Sequence, residues 1–177
     1  MGTQNRLFNQ IADSNQRIVT GSRKAMVMAD ELMNRVNEAI SFIKENKIEN
    51  VYFRNQTIYT HPVSGDVCLH MVIGSTPRPD RHARPLDTDI RIEFDVEKQK
   101  ARLLWDNIMY NVMGDSDMHK TQTNVSFSEY DRLEKHLEKF LSAEIQERMS
   151  PAARINLANA KAINQRTAYL PTLPYYC

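Results

Sequence analysis

The sequence contains little glycine and cysteine and no long apolar run. Its 177 residues include five glycines and two cysteines, Cys68 and Cys177. So few glycines leave little room for a glycine-rich phosphate or dinucleotide loop, and neither a P-loop nor a G-x-S-x-G nucleophile motif is present. Two cysteines are too few for a disulfide framework, so we expect free thiols in a reducing compartment. The apolar runs are only a few residues long and cannot span a bilayer.

Targeting signals are also missing from the sequence. The first residues, MGTQNRLFNQIADSNQR, contain no apolar core of a signal peptide. Arg6 stands where a myristoylation motif requires serine or threonine, and Cys177 lacks the residues that follow a prenylated cysteine. We therefore expect a cytoplasmic protein that does not associate with a membrane.

Charge is distributed unevenly along the chain, although the formal net charge is only +1. Residues 1–24 carry four basic side chains and one acidic one, and residues 148–177 carry four basic ones and no acidic one. The segment between them, 25–147, carries 15 basic and 21 acidic side chains. Opposite potentials steer association, so basic ends on an acidic body favour head-to-tail contact between copies. Nucleic acid is the other partner that basic ends suit, and a chance imbalance on solvated surfaces is the alternative to both.

Two segments have the apolar periodicity of long amphipathic helices. The first covers residues 23–46, and the sequence TGS at 20–22 separates it from a weaker helical segment at 5–19. The second covers about 127–149 and is rich in leucine on one face. A further segment at 151–168 is rich in alanine, basic and only thinly apolar, which predicts a helix with a narrow buried stripe.

The middle of the chain has the alternation that is typical of β-strands. Four stretches show β character: NVYFRNQTIYTH, VCLHMVIGS, TDIRIEFDV and ARLLWDNIMYNV. In the third stretch apolar side chains alternate with charged ones, which is typical of an antiparallel sheet with one covered face. The polar sequence EKQK before the fourth stretch indicates a hairpin, because short connections join antiparallel neighbours.

Together these elements predict a single α+β domain built as a two-layer sandwich. A mostly antiparallel sheet of about four strands packs against the two long amphipathic helices, in the order α-α-β-β-β-β-α-α. We place the core domain at 23–149, between a basic arm or short helix at 1–22 and a basic helix with a Pro/Tyr-rich arm at 150–177. A chain of 177 residues is long enough for one such core.

The loop between the second and third predicted strands combines three prolines with three arginines. Arg78, Arg81 and Arg84 recur at every third residue, and polyproline II has three residues per turn. In that conformation the three side chains lie along one edge at intervals of about 9 Å. Guanidinium groups suit bidentate contact with carboxylate or phosphate. We predict that the loop binds the acidic surface of a protein in preference to nucleic acid; the alternative is an ordinary surface loop with solvated arginines.

The C-terminal segment supplies the remaining predicted partner contacts. Arg154 and Arg166 contribute positive charge, and Tyr169, Tyr175 and Tyr176 contribute apolar area in a tail that prolines keep extended. Tyrosine is favoured at protein interfaces. The expected partners are copies of the chain itself or another protein with an acidic surface.

Carboxylates on the third predicted strand raise the possibility of a metal site. They share one face of the strand and are Asp87, Asp89, Glu93 and Asp95. Such pairs hold divalent metal in many nucleases, but Arg91 lies among them, where ion pairing would weaken a metal site. Cys68 and His70 also share a face, yet no second pair at similar spacing completes a zinc site. We expect no catalytic residue, no metal and no cofactor.

The sequence therefore predicts a non-enzymatic assembly subunit that docks through its basic termini and its Arg/Pro loop. Small ring-forming subunits of viral particles, such as tail-terminator and head–tail connector proteins, are similar in element order and linking arms, which would place the chain in a virion. The second hypothesis is a nucleic-acid-binding module with Tyr52, Phe53 and Tyr59 as stacking platforms. The third is a metal-dependent hydrolase that uses the acidic strand.

Overall fold

The structure, a computed structural model, describes residues 2–76, 87–108 and 121–168. A long helix, α1 (Gly2–Glu45), precedes five strands, and two helices follow them. The strands are β1 (Val51–Thr60), β2 (Val67–Ser75), β3 (Asp87–Asp95), β4 (Lys100–Ile108) and β5 (Thr121–Ser126). A 3-10 turn, Phe127–Glu129, leads into α2 (Tyr130–Arg148), and α3 is Pro151–Ala168.

The five strands form one antiparallel sheet in the order β1-β2-β3-β4-β5. α1 and α2 cover one face, and the core between them and the sheet is built from buried aliphatic side chains such as Leu32, Leu69, Ile92, Leu133 and Leu137. This arrangement confirms the predicted α+β two-layer sandwich. The sheet contains one strand more than the four stretches with β character, because TQTNVS is polar and pairs with β4 as an edge strand.

The predicted break at residues 20–22 is wrong, since α1 continues through it without interruption. Gly21 lies against the turn between β3 and β4, where an added Cβ would come within 2.5 Å of the Val96 side chain. The glycine thus permits a close approach of helix and sheet while its neighbours remain helical. The segments predicted separately at 5–19 and 23–46 are one helix.

A β-bulge interrupts β1 at Asn55, where φ is 58°. The extra residue shifts the alternation of side chains, so Phe53 and Ile58 both pack against the core although they are five residues apart. Tyr52 and Tyr59 lie on the opposite face of the sheet. The three aromatic side chains suggested as stacking platforms therefore lie on two different faces of the sheet.

The start of α2 lies where the sequence pattern predicts it. Ser126 and Glu129 have the spacing that predicts a capping box, and the Glu129 carboxylate accepts a hydrogen bond from the Ser126 backbone N–H at 3.3 Å. This bond lowers the pKa of Glu129. The helical turn that begins here leads directly into α2, close to the predicted start at residue 127.

The two ends of the sheet have different surroundings. At one end lie the β1–β2 and β3–β4 turns, which are joined because Asp66 Oδ1 accepts a hydrogen bond from the Val96 N–H at 2.8 Å. At the other end the chain leaves β2, where the Thr76 N–H donates to the Asn50 carbonyl at 2.9 Å. The Asn50 side chain in turn donates to the carbonyl of Arg148 at the end of α2. α1 contacts the first end at Gly21, beside Val96, and its C-terminus leads to Asn50 at the second end. The helix therefore runs from the first end of the sheet to the second.

Candidate partner-binding surfaces

Most residues predicted to bind a partner lie outside the part of the chain that the structure describes. They are Arg78, Arg81 and Arg84 of the loop, Tyr169, Tyr175 and Tyr176 of the tail, and the side chain of Arg166. Their roles stay predictions. Arg154 is described, and its guanidinium donates to the backbone carbonyls of Gln146 and Glu147. This side chain therefore joins the start of α3 to the end of α2.

An exposed helical arm lies at the end of the sheet that carries the β1–β2 and β3–β4 turns. It comprises residues 5–17 of α1, whose side chains are all exposed, and we call it the N-terminal arm. α1 meets the body at Ile18, which is half-buried beside Gly65 of the β1–β2 turn. At 1.5 Å per residue, the 13 residues of the arm extend about 20 Å beyond that contact.

The N-terminal arm exposes three large apolar side chains. Leu7, Phe8 and Ile11 are 59%, 70% and 53% exposed. Leu7 precedes Ile11 by four residues, and Ile11 precedes Ala25 and Leu32 by multiples of seven, so these positions share one face of α1. Ala25 and Leu32 are fully buried under the helix layer. The apolar stripe that builds the core therefore continues beyond the sheet into solvent.

The charge of the N-terminal arm is basic. Arg6 and Arg17 are exposed and outnumber the one acidic residue of the arm, Asp13. An amphipathic helix with an exposed apolar face and basic flanks is a common way to bind a groove on a partner protein. Contiguous exposed apolar side chains of this kind mark interaction surfaces.

A second candidate surface is a groove of about 400 Å³ between the C-terminal halves of α1 and α2 and the start of α3. We call it the helical groove. Its apolar lining consists of Ala39, Phe42, Leu141, Ile145, Met149 and Leu157. The Phe42 side chain is 42% exposed, so the groove presents an aromatic ring to whatever enters it. The groove lies toward the end of α1 that is opposite to the N-terminal arm.

Acidic side chains outnumber basic ones at the rim of the helical groove. Arg35 Nε lies 2.7 Å from Glu134 and 3.5 Å from Glu138, and Arg35 Nη1 lies 3.1 Å from Glu38. The hydrogen bond to Glu134 raises the pKa of Arg35. One cation thus faces three carboxylates. The side chains of Glu38 and Glu138 remain 64% and 52% exposed, which leaves negative charge available at the rim.

The sheet face opposite the helices carries the acidic side chains of β3 in ion pairs. Asp89 lies 3.1 Å from Arg91 and 2.9 Å from His70 Nε2, and Glu93 lies 2.5 Å from Arg102. The predicted pairing of Arg91 with its neighbours is confirmed. Among the described residues, no group of three or more histidine, cysteine, aspartate or glutamate side chains is arranged to hold a metal ion.

A second polar contact on this face depends on a glycine. Asp87 accepts a hydrogen bond from the Tyr52 hydroxyl at 2.9 Å and pairs with Arg54. These side chains meet over Gly74, where an added Cβ would come within 2.2 Å of the Asp87 carboxylate. Asp87 is nearly inaccessible to solvent. The arrangement is a packed contact in which the buried Asp87 carboxylate is held by Tyr52 and Arg54.

The structure reveals one surface that sequence reasoning missed. Leu7, Phe8 and Ile11 show in the sequence as a weakly amphipathic segment, so the N-terminal arm had a local signal. The helical groove had none, because three elements from separate parts of the chain line it and only their packing brings Phe42 beside Leu141 and Leu157.

Comparison with other proteins adds no further assignment. Within the described part of the chain, none of the three helices combines the length and apolar content that a membrane crossing requires. No protein-family model, curated protein or solved structure matches the chain.

Proposed function

We propose that this chain is a non-enzymatic assembly subunit that binds neighbouring subunits through its N-terminal arm. The observation that carries the proposal is the apolar stripe of α1, which is buried at Ala25 and Leu32 but exposed at Leu7 and Ile11. Burial of one large apolar side chain contributes about 1.5–3 kcal/mol, so a partner that covers the arm gains several such contributions. The arm is continuous with a packed helix, and for this reason little conformational entropy is lost when it binds.

The basic ends of the chain extend the same proposal. The N-terminal arm and α3 are basic, whereas acidic residues predominate in the segment 25–147. Opposite potentials on the basic ends and on the acidic segment between them favour head-to-tail association. The loop that contains Arg78, Arg81 and Arg84 adds positive charge for contact with an acidic neighbour. Ring-forming subunits of a virion, of the tail-terminator or connector type, are the class of assembly that we propose.

Size-exclusion chromatography with light scattering tests the proposal. We expect the wild-type chain to form oligomers and the arm variant, Leu7→Gln/Phe8→Gln/Ile11→Gln, to be monomeric. Glutamine retains high helix propensity, so the substitution removes the apolar stripe and keeps the helix. The matched control is Val27→Gln, which removes a 58% exposed valine from the face of α1 opposite Ala25 and should leave the oligomer unchanged. A wild-type chain that stays monomeric at the highest soluble concentration would overturn the proposal of self-assembly.

A nucleic-acid-binding module is the second candidate, and the composition of α3 favours it. α3 contains Arg154, Lys161 and Arg166 and no acidic residue. Binding through phosphate contacts weakens steeply with salt. Filter binding to single- and double-stranded DNA and RNA across a salt series should then show salt-sensitive retention that Lys161→Glu reduces. Absence of retention at low salt would eliminate this candidate.

A further inference from the structure

We infer that the N-terminal arm of one copy of the chain occupies the helical groove of the next copy. This inference rests on the proposed function and names the surface to which the arm binds. The arm and the groove are different surfaces at opposite ends of α1. A contact between them is therefore heterologous, and repetition of such a contact generates a closed ring or an open filament.

The arm cannot reach the groove of its own chain. Ile11 and Phe42 lie 31 residues apart on one uninterrupted helix, which separates them by about 46 Å. A straight helix cannot fold back on itself without a break, and α1 passes through Gly21 as a helix. The arm that occupies a given groove must therefore belong to a second molecule.

The chemistry of the two surfaces is complementary. The apolar side chains of the arm match the apolar lining of the groove. Phe42 of the groove is exposed, so an apolar side chain of the arm can pack against its ring. The carboxylates at the rim, Glu38 and Glu138, lie together beside Arg35, where one arginine of the arm, Arg6 or Arg17, supplies the opposite charge. Helix-in-groove recognition combines these two features, with apolar anchors on one face and charged flanks that select the orientation.

The dimensions of the two surfaces also agree. The groove follows α2 from Glu138 and ends at Met149, the residue after the helix, a stretch of about 18 Å at 1.5 Å per residue. The arm of residues 5–17 is about 20 Å long by the same measure. The apolar residues of the arm, 7–11, therefore fit within the length of the groove, and the remainder of α1 stays with its own sheet.

Complementation between two variants tests the inference. The groove variant, Phe42→Gln/Glu138→Lys, changes two exposed side chains and keeps the arm intact; the arm variant defined above keeps the groove intact. We expect the concentration needed for half-assembly to rise roughly tenfold or more in each variant. A tenfold rise corresponds to a loss of about 1.4 kcal/mol of association free energy. Mixed in equal amounts, the two variants should form a heterodimer and nothing larger, because one functional arm meets one functional groove.

Val63→Gln is the matched control for the groove variant, since Val63 is an 81% exposed side chain at the opposite end of the sheet. It should assemble like the wild type. Thermal unfolding of each variant, followed by circular dichroism, verifies that the monomers are folded. Folded variants that fail to form a heterodimer on mixing would overturn the inference.

The outcomes separate the inference from the proposed function. If the wild type assembles and the arm variant does not, but the groove variant assembles like the wild type, the function holds and the inference is wrong. If the wild type is monomeric, both are wrong. If removal of residues 169–177 disperses the assembly while the arm variant stays assembled, the C-terminal tail is the docking segment and the inference is again wrong.

Discussion

Gly21 of α1 and Val96 of the β3–β4 turn are so close that a Cβ on residue 21 would lie 2.5 Å from Val96 Cγ1. Val96 is buried, and a β-branched side chain has little freedom to turn away. The helix therefore rests directly on the turn at this point. This contact fixes the position at which α1 leaves the sheet, and thus the direction in which the N-terminal arm projects.

Substitution of this glycine should destabilise the protein despite improving the helix. Gly21→Ala raises helix propensity by about 1 kcal/mol but overpacks the contact with Val96, which costs about 1–3 kcal/mol. We expect the free energy of unfolding in urea to fall, with Thr20→Ala, an exposed neighbour on the same helix, as the control. In a double-mutant cycle, Val96→Ala should relieve part of the loss in Gly21→Ala. A Gly21→Ala protein more stable than the wild type would contradict the close approach.

A buried polar cluster joins the end of α2 to the start of β3. The Arg148 side chain is only 4% exposed, pairs with Glu144, and donates from Nη2 to Thr88 Oγ1 at 2.6 Å. The Thr88 hydroxyl lies 3.1 Å from the Glu144 carboxylate. The positive charge also lies in the last turn of α2, where the helix dipole favours it.

Removal of one partner of the Arg148–Glu144 pair should lower the free energy of unfolding more than removal of both. Arg148→Met leaves the largely buried Glu144 carboxylate without its cation, and we expect a loss of about 3 kcal/mol in the free energy of unfolding. Glu144→Leu/Arg148→Met replaces the pair by apolar side chains and should lose less. The control is Arg132→Met, on the exposed surface of α2, for which we expect a change within about 0.5 kcal/mol. Equal losses for the single and the double variant would contradict the pairing.

Stability at alkaline pH should depend on the thiol of Cys68. Burial raises the pKa of this thiol above its ordinary value of 9.0. The unfolded chain then releases the thiol proton at a lower pH than the folded chain does, so the free energy of unfolding decreases as pH rises past the unfolded value. Cys68→Ala lacks this dependence. Urea titrations between about pH 8 and pH 10 should show the wild type losing stability relative to Cys68→Ala; parallel curves would be the contrary result.

The arginine loop remains a prediction from the sequence, and it has its own test. Arg78→Ala/Arg81→Ala/Arg84→Ala should weaken assembly or partner binding in light scattering and barely change the melting temperature. Arg132→Ala, which removes one exposed arginine from the body, is the control for general charge loss. A large drop in melting temperature in the triple variant would instead assign the arginines a structural role.

Local sequence patterns are enough to predict the elements that depend on neighbours in the chain. The alternation in TDIRIEFDV sets which side chains of β3 face the core, and Ile90, Ile92 and Phe94 are fully buried as that pattern requires. The periodicity of residues 23–46 likewise predicts the buried face of α1. These features follow from the geometry of a single strand or helix, so a local pattern is enough to predict them.

Other features depend on contacts between distant residues and follow from the packing of the chain. Gly21 packs against Val96 within a continuous helix, and the polar segment at 121–126 is a strand because β4 offers it an edge. The helical groove exists because α1, α2 and α3 converge on it. In each case the contact joins residues that are far apart in the chain, so no periodic pattern in the sequence predicts it. Packing therefore shaped the groove, whereas the apolar stripe of the N-terminal arm was already present in the sequence.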